Sequence, residues 1–578
     1  MTESVPVLVV GGGPAGMAAA LAARRRGVRV VLVEASDDLG GQYWRHLPAE
    51  RAGEREELLH HGWQTFLGMR AALRNDDGCE ILLNGHVWSA DRRDDAPPLV
   101  HVVVGEADGA GRPARTFDPK VLVLATGAHE RTLPFPGWDL PGVFTAGAAQ
   151  ALAKGERVAV GRRVLVAGAG PFLLPVVSSL IRTGATVVGV VEASGVRQLG
   201  AGWGAKPWRL LSARAKAAEL GGYARDLAVN RIPYRTGAAV VAAHGAGRVE
   251  SVTVAGLDPD WTPKPGTGRR IEVDAVCVSH GFVPRSELAV AAGCVTGPDG
   301  VVVVDDCQRS SVRGVLTAGE LTGIGGVDLA LAEGEIAGAV AAGGNPPPGA
   351  AKARRVFREF AGRLASAHGI GPGWQDWLDD TTTVCRCEDV TAGDLRRVGG
   401  LTESRGLRSL KLTTRAGLGI CQGRTCGRAV EEILSAAAHT RLSAQASRAP
   451  AGPSFPSHAE PSQTAPGQTA SGQIGPGQIG PAQAASDLAA SGQIATGQTA
   501  PGKIAPSQGE PGQAAPGQAE AGRSGPRQVD LTSAGLLDPG RTAHRPIAVP
   551  IRLGELAGLI DIDGSVAGNA TSTQEDLS

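Results

Sequence analysis

Two strand–turn–helix–strand units with glycine-rich turns constrain this chain more than any other feature. Residues 1–35 begin with the apolar run VPVLVV, pass through the turn GGGP and end in VRVVLVE. Residues 163–192 repeat the pattern as RVLVAGAGPFLLPVVSSLIRTGATVVGVVE. Continuous β-branched runs are typical of parallel strands that are buried on both faces. The chain is therefore predicted to be an α/β protein with two dinucleotide-type domains.

The first turn has the complete dinucleotide-binding fingerprint, because it follows a strand and opens a helix. Gly13 lets the backbone approach a pyrophosphate, and Gly16 lets the helix pack closely on the strand. The unpaired N–H groups at the helix start favour an anion. Glu34 ends the next strand, where its carboxylate can accept from a ribose hydroxyl. The candidate cofactor contacts of this unit are Gly11, Gly13, Pro14, Ala15, Gly16 and Glu34.

The second turn departs from this fingerprint, because Leu173 stands at the position of the third glycine. A leucine side chain there would push the helix away from the strand or occupy cofactor space. Glu192 ends the following strand and would suit the 2′-hydroxyl of NAD better than the phosphate of NADP. We expect a retained fold without a working nicotinamide site, since a fold alone does not establish a function.

Three further segments indicate which cofactor the first unit binds. They are GGQ at 40–42, ATG at 125–127 and GE at 319–320. Together they resemble the flavoprotein superfamily with two dinucleotide-binding domains, the glutathione-reductase-like fold. The resemblance implies an FAD domain with an inserted second Rossmann-like domain, and an acid that contacts the ribityl and pyrophosphate region. The flavin contacts it implies are Gly41, Gln42, Ala125, Gly127, Gly319 and Glu320.

No catalytic residue is identified in this flavoprotein region. Disulfide reductases of the superfamily carry a redox cysteine pair after the Gly-Gly or in the second domain, but no cysteine lies between Cys79 and Cys277. A dithiol mechanism is therefore excluded. His129 and Glu130 adjoin the ATG segment and could line a flavin or partner surface, although ordinary structural roles are favoured.

Four of the eight cysteines form two close pairs, Cys385-x-Cys387 and, 33 residues later, Cys421-x4-Cys426. Such thiolate sets bind zinc or an iron–sulfur cluster. Structural zinc rarely uses a pair with one intervening residue, so the spacing favours [2Fe–2S] over zinc and over unliganded thiols. The module resembles the BFD-like [2Fe–2S] domain that is found fused to flavoproteins.

Composition excludes several other classes of protein. The chain has 57 basic and 57 acidic residues, so no global field attracts nucleic acid or a membrane surface. Eight cysteines in 578 residues are too few for a disulfide scaffold. The apolar stretch from Val5 to Ala23 contains the glycine turn and is interpreted as strand, turn and helix, so no membrane span is predicted. We expect a cytoplasmic protein.

From about residue 446 the sequence repeats [PS]-G-Q-x-x units that cannot bury apolar area, which predicts disorder. The predicted regions are an FAD-binding domain (1–145 and 275–345), an inserted second dinucleotide-type domain (146–274), a helical connector (346–380), the BFD-like small α-rich domain (381–440), a Gln/Gly/Pro/Ala pentapeptide-repeat linker (441–541) and a C-terminal docking tail (542–578).

Residues 1–445 with the apolar segment 545–559 resemble the electron-transfer subunits of heteromeric amine and amino-acid dehydrogenases. This group contains opine oxidase A subunits, hydrogen cyanide synthase B subunits and alpha subunits of proline or hydroxyproline dehydrogenases. The segments that carry the resemblance are ATGAHERTLPFPGW, GAGPFLL and VCRCEDVT…GICQGRTC. It implies oxidation of a C–N bond. The partners it implies are an FAD-containing oxidase-like catalytic subunit, together with a small ferredoxin-like subunit.

Two other functions stay open at this stage. One is a self-contained NAD(P)H-dependent flavin reductase that passes electrons through the cluster, which the departure at Leu173 disfavours. The other is a non-catalytic module that holds nucleotide and cluster for assembly.

Overall fold

The computed structural model describes residues 2–51, 53, 55–107, 109–205, 214–402 and 406–436. The repeat linker and the docking tail predicted from the sequence lie outside the described residues, as do residues 437–440. Within the described ranges, no helix is long and apolar enough to cross a membrane.

A seven-stranded sheet forms the N-terminal unit. Its elements are β1 (Thr2–Val10), α1 (Pro14–Arg24), β2 (Val30–Val33), α2 (Trp63–Arg74), β3 (Cys79–Leu82), β4 (Gly85–Asp91), β5 (Leu99–Val104), β6 (Ala114–Leu124), β17 (Val315–Thr317) and α8 (Val327–Ala341). The strand order is β3-β2-β1-β6-β5-β4, and β17 pairs with β6. In the parallel ladders Val10 lies opposite Val33 and Leu124, so three strands end together where the glycine turn begins.

Helices α1 and α8 cross on one face of this sheet. Helix α1 buries a run of alanines, and α8 is buried along most of its length. A Cβ on Gly334 would lie 2.1 Å from the carbonyl oxygen of Ala15, and one on Gly338 would lie 2.0 Å from that of Ala19. Only glycine permits this approach, which fixes the start of α8 beside the glycine turn.

A second unit follows with its own parallel sheet. Its elements are β8 (Val143–Thr145), α3 (Ala146–Gly155), β9 (Arg163–Gly168), α4 (Leu173–Arg182), β10 (Thr186–Glu192), α5 (Val196–Gly204), α6 (Arg214–Val229), β11 (Tyr234–Thr236), β12 (Ala238–His244), β13 (Ser251–Gly256), β14 (Arg269–Glu272) and β15 (Ala275–Ser279). The parallel sheet has the order β11-β10-β9-β15-β8, and β12-β13-β14 form an antiparallel sheet. The mixed α/β fold class with two dinucleotide-type units is confirmed.

The predicted boundaries between these two units need one correction. The sequence assigns residues up to 145 and from 275 to the first domain, but β8 and β15 pair with each other and β15 pairs with β9. Both strands therefore belong to the second sheet. The reason is that a short apolar strand does not reveal from its own sequence which sheet it will join.

The remaining elements connect the units to the cysteine module. They are β7 (Ala128–Glu130) and β16 (Phe282–Pro284), which pair as a two-stranded antiparallel ribbon, α7 (Glu287–Ala291), α9 (Pro348–Ala367), β18 (Thr383–Cys385), β19 (Val390–Thr391), α10 (Ala392–Thr402), α11 (Leu407–Thr414) and a helix over residues 427–436. Thr391 and Asp394 bond each other's backbone N–H groups at the start of α10, which forms a capping box.

One hydrophobic core runs from the second unit into the cysteine module. It contains residues of β9, β12 and β13 together with side chains of β18, α10, α11 and helix 427–436. Trp261 of the second unit stacks on Trp377 of the connector, with 6.1 Å between ring centroids. The module is thus packed into the body through shared apolar side chains.

Candidate functional site

The first glycine turn is shaped by contacts that exclude side chains at two of its glycines. Gly11 has φ +108°, and a Cβ there would lie 2.3 Å from the carbonyl oxygen of Ala125. A Cβ on Gly16 would lie 1.7 Å from the carbonyl oxygen of Gly11. Gly13 differs, because a Cβ there would meet only the Cα of Gly41, at 3.9 Å. Gly16 therefore serves packing, whereas Gly13 leaves room for a ligand.

The start of α1 is free to bind an anion. Gly13 is its N-cap residue and provides no side-chain cap, and the first turn contains no acidic residue. Pro14 at the first helical position has no N–H to satisfy. The remaining N–H groups and the helix dipole thus point at the space above Gly13 and Ala15. This cradle fits a pyrophosphate.

Glu34 lies at the end of β2 with 8% of its surface exposed. Its carboxylate accepts from the N–H of Gly12 at 2.5 Å and from the N–H of Ser36 at 2.8 Å. Two backbone donors fix its orientation at the mouth of the turn. A carboxylate held in this place can accept from a ribose hydroxyl.

Gly319 and Glu320 follow β17 on the opposite wall. The N–H of Gly326, which is the N-cap residue of α8, donates to Glu320 at 2.7 Å. Burial raises the pKa of Glu320 to about 7, although hydrogen bonds from Gly326 and Gly325 act in the other direction. The predicted acid therefore lies over the start of a helix whose N–H groups face the same cavity.

A cavity of about 1970 Å³ joins these parts. It exceeds the roughly 300–1000 Å³ of an ordinary ligand pocket, and it extends from the first glycine turn to Gly170 and Pro171 of the second. All the predicted flavin contacts except Gly16 line it, namely Gly11, Gly13, Pro14, Ala15, Glu34, Gly41, Gln42, Ala125, Gly127, Gly319 and Glu320. The structure thus brings these residues into one site that FAD fits, and the individual contacts stay predictions.

The same cavity contains groups that the sequence did not single out. Lys154 of α3 is 6% exposed, and its Nζ donates to the carbonyl oxygen of Tyr43 at 3.1 Å. Burial lowers the pKa of Lys154 to about 8. Nearby, Glu333 of α8 is fully buried and binds the N–H of Gly319 at 3.0 Å and the guanidinium of Arg358. No local motif marks these residues, because burial and partners come from distant segments.

The second glycine turn lines the same cavity through Gly170 and Pro171, but its acid is held by the chain itself. Glu192 is fully buried and accepts from the N–H of Gly170 at 2.9 Å. His368, at the C-terminus of α9, places Nδ1 3.4 Å from this carboxylate, and its Nε2 accepts from Trp203 Nε1 at 3.2 Å. Burial opposes ionisation of Glu192, but the hydrogen bond and charge of His368 lower its pKa below the usual range. The carboxylate of Glu192, which the sequence predicts to accept from a ribose hydroxyl, therefore already has His368 as its partner.

Leu173 does not act as its position in the fingerprint predicts. Instead of displacing the helix or occupying cofactor space, it is fully buried in the core between α4 and the parallel sheet. The turn accommodates it because Gly170 has φ +107° and α4 begins three residues after Gly170. Helix α4 thus stays packed on the sheet, but its first residue is Leu173 and not the residue that follows Gly170.

The four cysteines of the module lie together around two glycine-containing loops. Cys426 shares hydrogen bonds with Cys385 and Cys421, and Cys387 contacts Cys421. The hydrogen bond from Cys426 lowers the pKa of the Cys385 thiol to about 6 and that of Cys421 to about 4. Backbone N–H groups of two glycines at positive φ also point at these sulfurs, namely Gly417 and Gly423.

No group of three or more His, Cys, Asp or Glu side chains in the described ranges is arranged around a single metal ion. A two-iron cluster needs a different arrangement, since each iron takes two of the four thiolates. Thiolates that receive backbone N–H bonds fit such an anionic cluster. Cys385, Cys387, Cys421 and Cys426 stay the predicted ligands. The other four cysteines are free, and three of them are buried, which suits the structural role expected of them.

The β7–β16 ribbon connects the flavin cavity with this module. Strand β7 begins directly after Gly127 and contains His129 and Glu130. His129 Nε2 lies 3.1 Å from the carbonyl oxygen of Arg424, and the Thr132 hydroxyl donates to the carbonyl oxygen of Thr425 at 3.0 Å. Both carbonyls belong to the loop between the last two cysteines. Sequence reasoning favours structural roles for His129 and Glu130 and misses this connection.

Glu130 follows His129 in the same strand, β7. Burial raises its pKa, while the hydroxyl of Thr145 and the N–H groups of Gly147 and Ala148 act in the opposite direction. Its carboxyl group therefore occupies the N-terminus of α3 beside the flavin cavity. Arg131, the next residue, forms an ion pair with Glu432 of helix 427–436 at 2.5 Å.

Comparisons with known proteins cover most of the described chain. Residues 5–343 match the family model described as pyridine nucleotide-disulphide oxidoreductase, and residues 383–436 match the BFD-like [2Fe-2S] binding domain. The hydrogen cyanide synthase protein HcnB of Pseudomonas aeruginosa is 33% identical over 443 residues, which are 72% of this chain and 90% of that protein. The opine oxidase A subunit of Agrobacterium tumefaciens is 32% identical over 456 residues, covering 75% of this chain and 86% of that one.

Among solved structures, the L-proline dehydrogenase from P. horikoshii aligns over 75% of both chains, with a TM-score of 0.49 and 22% sequence identity.

Proposed function

Because the chain belongs to the pyridine nucleotide-disulphide oxidoreductase family, in the group of HcnB and opine oxidase A subunits, we propose that it is the electron-transfer subunit of a heteromeric dehydrogenase that oxidises a C–N bond. The predicted FAD and [2Fe–2S] cofactors and the assignment to the FAD-dependent oxidoreductases are confirmed. That other subunits complete the enzyme follows from relatives that are themselves subunits.

The proposed substrate class is an amino acid, imino acid or opine, and the names of the relatives support it. An FAD-containing oxidase-like subunit would remove a hydride from the carbon beside nitrogen and leave an imine. A small ferredoxin-like subunit would be the third component. Flavin and cluster supply the redox chemistry when bound, and this chain sets their distance and environment. A cytoplasmic location stays a prediction.

The observation that carries the proposal is strand β7 between the two cofactor sites. Gly127 lies in the cavity wall and His129 contacts the cysteine loop, and these residues are two positions apart, which is about 7 Å along a strand. The hydrogen bonds from His129 and Thr132 then reach the carbonyl groups of Arg424 and Thr425, next to the predicted ligand Cys426. A short covalent and hydrogen-bonded route thus joins the two sites, which supports a role in electron transfer.

The partnered acid of the second turn argues against the NAD(P)H-dependent reductase. A nicotinamide dinucleotide would need the carboxylate of Glu192 for its ribose, but this carboxylate is fully buried and His368 already lies against it. The proposed function does not use this site, so the contact between His368 and Glu192 is compatible with the proposal.

The test is reduction of the purified chain without its partners. We expect anaerobically prepared protein to contain flavin and acid-labile sulfide, and photoreduction of the flavin to produce the electron paramagnetic resonance signal of a reduced [2Fe–2S] cluster. Thr132→Val and His129→Phe should slow the appearance of that signal, while the matched variant Thr183→Val, at the end of α4, should not. Protein that lacks either cofactor, or a flavin that never exchanges electrons with the cluster, would contradict the proposal.

NADH supplies the second arm of this test. We expect NADH and NADPH to leave the flavin spectrum unchanged in single-turnover mixing. Prompt bleaching by either nucleotide would favour the reductase instead.

A further inference from the structure

The four predicted cysteine ligands differ sharply in their access to solvent. Cys385 is 1% exposed and Cys426 is 2% exposed, whereas Cys387 lies on the surface and Cys421 is half-buried. The buried pair lies next to the segment that follows β7, because the Thr132 hydroxyl donates to Thr425 and Cys426 directly follows Thr425. A cluster held by these ligands thus has an inner edge that faces the body and an outer edge that faces solvent.

The outer edge carries an apolar side chain in an unusual position. Ile420 is 84% exposed, the most exposed large hydrophobic side chain among the described residues. It lies between Gly419 and the ligand Cys421, and a Cβ on Gly419 would lie 2.1 Å from the Cβ of Cys387. Glycine here lets this loop lie directly on the exposed ligand. Ile420 is therefore presented beside the point where the cluster comes nearest to solvent.

The module that carries this edge is basic, although the whole chain is neutral. Residues 383–436 contain nine basic and six acidic residues, against 57 of each in the full chain. Among the described residues of this segment, the exposed charged side chains are four arginines and one carboxylate, namely Arg386, Arg397, Arg408, Arg415 and Asp389. The acidic Glu431 and Glu432 are directed inward, where Glu432 pairs with Arg131.

Two of the arginines also have partners in the module. Arg397 pairs with Asp394 and Arg415 pairs with Glu388. Exposed pairs of this kind are weak and screened, and the positive field of the surface acts over about 10 Å at moderate ionic strength. An exposed apolar residue on a positively charged module is an arrangement that steers an acidic partner and then buries apolar surface in the contact.

We propose that the outer cluster edge, defined by Cys387, Gly419 and Ile420, is the docking surface for an acidic one-electron redox protein, which the four exposed arginines of the module attract. The inference rests on the proposed function, because it assumes that electrons leave or enter through the cluster. Its occupant presents carboxylates around its own redox centre, and Ile420 occupies the centre of the contact. One electron crosses between the two metal centres, and no bond is made or broken.

The test compares Ile420→Glu with Val196→Glu in the cofactor-loaded full chain. Val196 is 72% exposed on α5 in the second unit and is the matched control. The probe is a small acidic [2Fe–2S] ferredoxin, with affinity measured by surface plasmon resonance at several salt concentrations. We expect Ile420→Glu to weaken binding at least about tenfold, Val196→Glu to have no effect, and affinity of the parent chain to fall with salt.

Three further readouts separate failure of the surface from failure of the cofactors. The visible and paramagnetic resonance spectra of Ile420→Glu should match the parent, and flavin-to-cluster transfer inside the chain should keep its rate. Equal ferredoxin affinity of Ile420→Glu and the parent, or equal affinity of the parent for a basic c-type cytochrome, would overturn the docking proposal. So would sedimentation in which Ile420→Glu merely dissociates a dimer of this chain. A parent chain without flavin and cluster signals would instead overturn the proposed function.

Discussion

The two dinucleotide-type units are built alike at their turns. In each unit a backbone N–H donates to a carboxylate 22 residues later, from Gly12 to Glu34 and from Gly170 to Glu192. In the first unit this carboxylate borders a large cavity, whereas in the second it is covered by His368. The same framework therefore holds a cofactor site in one place and a closed internal contact in the other.

The difference begins at the helix starts. Helix α1 starts at Pro14, directly after Gly13, and directs free N–H groups into the cavity. Helix α4 starts at Leu173, three residues after Gly170, and its first side chain is buried in the core. A dinucleotide fold thus keeps its sheet when the turn is lengthened, but it loses the helix terminus that binds phosphate.

The largest expected effect comes from filling the open turn. Gly13→Val places its side chain in the ligand space, since a Cβ there has no close protein neighbour. We expect flavin affinity to fall about 100-fold, equivalent to roughly 2.7 kcal/mol, with the fold retained. Flavin content and far-ultraviolet circular dichroism measure the two effects.

Pro171→Val, at the cavity-lining position that corresponds to Pro14, is the control change in the second turn. We expect it to leave flavin content unchanged. A comparable loss of flavin from this control would show that the second turn also supports the cofactor, and would remove the contrast between the two units.

The next effect is on stability and comes from the cover of the second turn. His368→Ala leaves the buried carboxylate of Glu192 without its imidazole partner and removes the acceptor for Trp203. We expect the free energy of unfolding to fall by about 2 kcal/mol, seen as a lower Tm, because the carboxylate and the indole N–H both lose a hydrogen-bond partner. His368→Gln, which can donate to one side and accept from the other, should restore most of the difference.

Nucleotide binding sharpens the same comparison. We expect His368→Ala to gain no measurable affinity for NADH in calorimetry, since α4 still starts away from the turn. Tight NADH binding by this variant would mean that His368 alone closes the site.

Glu320 beside the flavin cavity and Glu192 in the second unit should affect stability in opposite directions as the pH changes. Glu320 has a pKa raised to about 7, so its contribution to stability is complete below its ordinary pKa and is lost as pH rises through about 7. Glu192 has a lowered pKa, so its contribution is present above the ordinary value and is lost as pH falls. Tm profiles from about pH 4 to 8 for Glu320→Gln and Glu192→Gln measure both.

Relative to the parent chain, Glu320→Gln should become more stable toward alkaline pH, and its gain should be on the order of 1 kcal/mol because part of the side chain faces the cavity. The Tm of Glu192→Gln should differ least from that of the parent chain near the lowest pH of the series, about pH 4. If Tm depends on pH in the same way in both variants, the raised pKa of Glu320 and the lowered pKa of Glu192 would be contradicted.

The smallest effect is expected from Tyr234, whose hydroxyl lies 3.4 Å from Glu192 and whose surface is 40% exposed. A long hydrogen bond at an exposed edge contributes little, so Tyr234→Phe should change stability by less than about 0.5 kcal/mol. A larger loss, measured by the same thermal scans, would mean that this tyrosine and not His368 secures the carboxylate.

Local patterns predicted the parts of this site that are local in space. The glycine spacing at Gly11 and Gly13 and the acid at Glu34 are set by one strand–turn–helix unit, so their positions could be derived from sequence. The same holds for the cysteine pairs, whose spacing is short. Their resemblance to known families supplied the cofactors that spacing alone left open.

Contacts between distant segments could not be derived in this way. His129 meets the carbonyl of Arg424 across 295 residues, and Lys154 donates to Tyr43 across 111. Neither residue type is unusual for its local sequence, and only packing of whole units brings the pairs together. Membership of β15 in the second sheet escaped prediction for the same reason, since its partner strand β9 precedes it by about 100 residues.

The shared core beneath the cysteine module limits how this module can be transferred to another protein. Because Val384, Leu395 and Leu410 pack in one cluster with side chains of the second unit, excision at residue 381 would expose an apolar face that the small fragment cannot cover. An engineer grafting this redox module onto another enzyme would have to carry along the connector tryptophans and the antiparallel sheet of the second unit, so the exchangeable cassette is larger than the recognisable motif.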